Sequence, residues 1–213
     1  MAWQQYSETA VLSRQGRRAP GSGILAAPAQ ALSHLGSPPV LSTVCITAAA
    51  AHDGRPDAFV AAAVFTLIGT VLPLLALIGQ WRAGQVADLE VTRREQRLWP
   101  MLLTTTCVGL GAGFLQLGGA PPAVAGMACI LGVLSLTLLA ITTRWKISVH
   151  AATAAAATAL AWSLTGRLEP GLALLGAVIW SRLYLRRHTA WQCLVGSAVG
   201  GALMLLLWPL LGG

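Results

Sequence analysis

Apolar runs long enough to cross a bilayer recur along this chain, separated by short segments that carry most of its charge. A membrane-crossing helix needs about 20 largely apolar residues. Such runs cover 58–81, 99–118, 123–143 and 191–211; shorter or less uniform ones cover 148–166 and 171–184. The run 24–51 is interrupted by Ser33, His34, Ser37 and the Pro38-Pro39 pair. In lipid every backbone N–H and C=O must be satisfied within the segment, so these runs fold as helices. The expectation is an all-α, polytopic transmembrane bundle of six to seven helices. Residues 1–23 are polar, carry Arg14, Arg17 and Arg18, and do not read as a signal peptide. They are expected to form a poorly ordered tail ahead of one integral-membrane domain, 24–213.

Composition agrees. The chain is 55% hydrophobic and only 10% charged, where a soluble domain carries about 25% charged residues. Its formal net charge is +7, from basic residues placed between apolar runs. That placement suits anionic lipid headgroups or phosphate, with no nucleic-acid partner. Cys45, Cys107, Cys129 and Cys193 all lie in apolar stretches and read as small buried hydrophobes. None has zinc-like spacing, and His34 and His52 have no accompanying ligand pattern. No metal or cofactor is implied. His52-Asp53 reads as a loop pair.

The chemistry concentrates between 181 and 192, a basic run joining two apolar segments. The guanidinium of Arg182 presents a fork of donors that matches phosphate oxygens. His188 is suited to nucleophilic or acid–base work near neutral pH. If the helix continued past His188, Gln192 would lie one turn on, and its carbonyl could fix the imidazole tautomer. Equally, Arg182, Arg186 and Arg187 could be a positive-inside anchor with His188 as a solvated neighbour. A second cluster opens the 148–166 run. Lys146, the only lysine, precedes His150 by one turn, either to bind phosphate or to snorkel to the interface.

Together these stretches resemble the type 2 phosphatidic acid phosphatase and vanadium haloperoxidase superfamily. Its third motif reads Ser-Arg, five residues, His, three residues, Asp. Ser181, Arg182 and His188 match it, with Gln192 in place of the Asp. Its second motif, Pro-Ser-Gly-His, is met by Ser148 and His150, with Ile147 and Val149 replacing Pro and Gly. A loosened first motif spans Arg93, Arg94, Arg97 and Pro100. The resemblance covers 58–211 and implies metal-independent phosphatase chemistry. His188 would form a phosphohistidine, and His150 would protonate the leaving group. Arg182, Lys146 and one of Arg93, Arg94 and Arg97 would hold the phosphate oxygens, with Ser148 donating a hydrogen bond. In serine-protease triads, replacing the orienting Asp by its amide costs about four orders of magnitude, so Gln192 implies a slower hydrolase or altered chemistry.

Two crossings separate each motif segment from the next, which puts all three on one face. With seven spanning segments, that face also holds the tail and nearly all the basic residues, leaving Arg55 and Arg167 opposite. The positive-inside rule then points the site to the cytoplasm, in a cell-membrane protein. Three readings of function follow. The first is hydrolysis of a lipid phosphate or isoprenoid diphosphate. The second is ionisation of a prenyl diphosphate for cyclisation or prenyl transfer. The third is non-catalytic binding or transport of a phosphorylated lipid.

Overall fold

The computed structural model describes residues 23–88, 91 and 96–212. The polar tail lies outside them except for Gly23, as do Arg93 and Arg94. The described residues form eight helices and no strands. These are α1 (Ala26–Leu35), α2 (Pro38–Asp53), α3 (Pro56–Arg82), α4 (Leu98–Leu117), α5 (Pro122–Thr142), α6 (Val149–Thr165), α7 (Glu169–Tyr184) and α8 (Ala190–Leu211).

The all-helical, membrane-type architecture agrees with the sequence reading, but the count of six to seven spans does not carry through. Four helices, α3, α4, α5 and α8, are long and apolar enough to cross a membrane. The run 24–51 is two helices, of 10 and 16 residues, because Pro38 and Pro39 occupy the first turn of α2 and start it afresh. α6 has 17 residues, fixed by the Ser148 N-cap and by Gly166 in the left-handed conformation at φ 70°. α7 has 16, starting at Glu169-Pro170. His52 belongs to the last turn of α2 and packs on Trp208, with ring centroids 5.7 Å apart, while Asp53 pairs with Arg55 at 2.8 Å.

α3 is continuous but contains a π segment, Leu67–Val71. Proline lacks an N–H and clashes with the carbonyl four residues back. Pro73 would meet Gly69 in this way, and the widened turn accommodates it.

α6 is the interior helix. Every residue from His150 to Leu160 is buried, because α2, α7 and α8 surround it. Its alanines leave room for backbones to approach, and the neighbours supply glycines at the contacts. A Cβ on Gly196 would stand 2.5 Å from the Ser148 carbonyl oxygen, and one on Gly200 would stand 1.9 Å from that of Ala152. On the α7 side, Gly171 meets Thr158, whose hydroxyl donates to the Gly171 carbonyl (2.8 Å). Large apolar side chains such as Leu110, Phe114, Leu206 and Leu210 point outward and are exposed. A hydrocarbon surround suits that surface. Cys45, Cys107 and Cys193 are buried and Cys129 is partly so, all as free thiols.

Candidate phosphate site

The segments joining α3–α4, α5–α6 and α7–α8 are stitched together at one end of the bundle. Arg97, at the start of α4, donates from Nε to the Val91 carbonyl (2.8 Å) and from Nη1 to the Ile147 carbonyl (3.3 Å). The Ser148 N–H donates to the Gln192 carbonyl (3.2 Å), tying the entrance of α6 to the first turn of α8. Trp81, Trp99, Trp145 and Trp191 are exposed at this same end, as an interfacial belt requires. Gly23 lies here too, against the Tyr184 hydroxyl.

His188 owes its position to two helix termini. α7 closes with the N–H of Arg186 donating to Leu183 O and that of Arg187 to Arg182 O, both at 3.0 Å. Arg186 is left-handed between them, at φ 52°. This is the Schellman arrangement, with an arginine where glycine is usual. The chain then reverses, and Thr189 caps α8 through a capping box. Between the two, His188 is turned inward and is 7% exposed.

The helix therefore does not continue past His188, and the Gln192 side chain is engaged in a cap instead of with His188. The Gln192 side-chain carbonyl accepts from the Thr189 N–H (3.1 Å), and the Thr189 hydroxyl accepts from the Gln192 N–H (3.3 Å). Among the described residues, neither ring nitrogen of His188 has a hydrogen-bond partner. The sequence Thr189-Ala190-Trp191-Gln192 is itself a capping-box signature and could have foretold this use. The two serines of the motifs are likewise structural. Ser148 is fully buried and accepts from the Ala151 N–H (3.3 Å) as an N-cap. Ser181 turns its hydroxyl back to the Val178 carbonyl (2.8 Å).

The histidines and cations do converge. Arg182 is 1% exposed and is held by the Ser33 hydroxyl of α1. Arg97 is also buried, and Lys146 is half-buried. His150 lies within electrostatic reach of Arg182, His188 and Arg97. Burial, then Arg97, Arg182 and Lys146, push the imidazole of His188 down to about 3; the Ile147 carbonyl works weakly the other way. Its neutral form therefore dominates at neutral pH. The ammonium of Lys146 is held below its ordinary range by burial and then by Arg97, Arg182 and Arg187, with Asp88 opposing. Like charges gathered at a partly dry site repel one another, and an anion among them relieves that repulsion.

Ser33 is the group that the sequence reading missed. It sits in the weakest apolar run, and a polar residue in such a run marks an internal contact. Among the described residues, no three His, Cys, Asp or Glu side chains gather as a metal site would require.

Beside this cluster lies a cavity of about 370 Å³. Arg97, Val91, His150 and Thr153 are among its walls, and it extends between α3, α4 and α5 to Phe65, Val108 and Leu131.

No curated protein and no solved structure matches the chain. The family model of the PAP2 superfamily matches residues 137–212, the stretch holding Lys146, His150, Arg182 and His188. That match agrees with the resemblance drawn from the second and third motifs, and the C-terminal part of the chain is thus similar to the PAP2 superfamily.

Proposed function

We propose that the protein is an integral-membrane phosphatase acting on a lipid phosphate or isoprenoid (di)phosphate through a phosphohistidine. The observation that carries this reading is a buried, neutral His188 ringed by Arg97, Lys146 and Arg182, with His150 nearby. A lone pair on His188 forms the N–P bond as the P–O bond to the leaving group breaks. His150 gives its proton to the departing oxygen. Water then attacks phosphorus, the N–P bond breaks, and His150 takes the proton of that water. The cations stabilise the equatorial oxygens throughout. The bound phosphate brings negative charge, which favours the protonated form of His150 that an acid needs.

The test is inorganic phosphate release by purified protein in nanodiscs from phosphatidate, phosphatidylglycerophosphate and prenyl diphosphates. His188→Ala is expected to abolish release, while His150→Ala should slow poor leaving groups most. Full activity in His188→Ala sinks the assignment. The apolar cavity beside the cations also supports a second reading, ionisation of a prenyl diphosphate. That reaction yields inorganic diphosphate and a hydrocarbon or transferred prenyl group instead of alcohol and phosphate. Binding with neither product would mark a carrier.

We further propose that the site faces the cytoplasm in a cell-membrane protein. Arg82, Arg144 and Lys146 lie on its side, and Arg55 and Arg167 lie opposite. An impermeant thiol reagent applied to intact cells should label a single cysteine beside Arg167 and spare one in the Asp88 segment. The reverse pattern overturns the orientation.

A further inference from the structure

The cavity that adjoins the cations is largely apolar. Arg97 and His150 are among its polar walls. Met101, Leu134 and Leu138 are among its apolar ones. Three of the hydroxyls that line it, those of Thr104, Ser135 and Thr153, are already engaged. Thr104 donates to the Pro100 carbonyl (2.9 Å), Thr105 and Ser135 bond each other (2.8 Å), and Thr153 donates to Val149 and His150 carbonyls. Their donors are used within the protein, which leaves the walls between α4, α5 and α6 largely apolar. Phe65 also lines it. It is 1% exposed and is wedged where Cβ atoms on Gly69 and Gly111 would stand 3.3 and 3.2 Å from its ring. From Arg97 to Val108 along α4 is eleven residues, roughly 16 Å at 1.5 Å per residue.

Size then limits the occupant. A cavity of about 150 Å³ accommodates benzene, six carbons. By that measure the present 370 Å³ takes roughly fifteen carbons. That is enough for one chain of intermediate length, and too little for the paired chains of a diacyl phospholipid or for a fifty-five-carbon polyprenyl. We infer that this chamber holds the single hydrocarbon chain, of about fifteen carbons, of a phosphate or diphosphate ester whose head lies at Arg97 and His150. This rests on the phosphatase reading for the fate of the head group, but the choice of chain stands on the chamber alone.

The test separates the two. Phosphate release is measured in nanodiscs for prenyl diphosphates of five, ten, fifteen, twenty and fifty-five carbons, for a sixteen-carbon lysophosphatidate and for diacyl phosphatidate. In parallel, saturable binding of the radiolabelled esters to His188→Ala protein is measured without turnover. The fifteen-carbon prenyl or the lysophosphatidate should exceed the twenty- and fifty-five-carbon prenyls and the diacyl lipid by about ten-fold in kcat/KM and in affinity, the scale on which a closed pocket rejects extra methylenes. Whichever of the two is preferred names the source of the chain. Val108→Phe, which adds bulk to the lining, should move the optimum to ten carbons, and Phe65→Ala, which removes bulk from it, should move it to twenty. Two opposite shifts cannot come from misfolding. Turnover that is flat with chain length, or greatest for diacyl or fifty-five-carbon substrates, overturns the chamber and leaves the phosphatase standing. Chain-selective binding without phosphate release supports the chamber and removes the phosphatase. Neither binding nor release overturns both.

Discussion

His188 carries most of the proposed chemistry, and its burial has a consequence for stability. A free histidine titrates near 6.5, while this one is held at about 3. Between those values the unfolded chain binds a proton that the folded one refuses, so stability falls as pH drops through 6.5 and is unaffected above it. For the substrate-free protein this one group should cost about 2 kcal/mol at pH 5. Thermal unfolding at pH 7.5 and pH 5 should show a smaller acid loss in His188→Gln than in the natural protein. Equal losses would contradict the burial of a neutral imidazole. Gln192 predicts the opposite kind of behaviour. Its side chain serves the capping box, so Gln192→Ala should lower stability by about 1 kcal/mol and leave phosphate release per folded molecule unchanged. A hundred-fold loss of rate at unchanged stability would restore Gln192 as the orienter of His188. The gathering of His150, Arg182 and His188 at one end was legible in the sequence, because a histidine or an arginine at the end of an apolar run has few structural uses. The helix-end hydrogen bonds of Ser148, Ser181 and Gln192 were not read from the motifs, because which use such a group takes depends on where each helix begins and ends.

Between helices, the separation of α6 and α8 decides whether His150 and His188 can serve one phosphate. Gly196 and Gly200 set that separation by letting α8 rest on the Ser148 and Ala152 carbonyls. A methyl at 200 meets backbone that cannot turn away. Gly200→Ala should therefore lower stability by about 1–3 kcal/mol, as overpacking does, and reduce phosphate release further by moving His188 away from His150. Gly201→Ala, whose new Cβ would lie 3.9 Å from Ala155, is the matched control and should be near neutral. Unfolding in mild detergent with increasing denaturant, alongside phosphate release, checks both. A tolerated Gly200→Ala would mean that α8 can shift without consequence. The small-residue face of α8 was readable from 196, 200 and 201, but not that Gly201 is largely idle. That depends on the rotation of α8 about its axis, which a run apolar on every side leaves open. The division of 24–51 into α1 and α2 was signalled by Pro38-Pro39. The placement of Ser33 on Arg182 was not, since it joins residues 149 positions apart.

For the molecule as a whole, the alternation of apolar runs and basic segments fixed one property in advance: the three motif segments meet at one end. It left the number of spans open, because 16- and 17-residue helices lie at the edge of what crosses a bilayer. That shortness bears on the surrounding lipid. α6 and α7 are about 25 Å long against a hydrocarbon layer of about 30 Å, and they are the helices that lead into the second and third motifs. A hydrophobic mismatch of that sign is met by thinning the bilayer locally or by drawing the headgroup region down toward the helix ends. Either response brings the phosphates of neighbouring lipids closer to the ends of α6 and α7, and shortens the path by which a headgroup would reach the proposed site. Phosphate release should accordingly be faster in bilayers of fourteen-carbon acyl chains than in those of twenty-two, at equal fluidity. A rate independent of thickness would mean that the protein, and not the membrane, absorbs the difference.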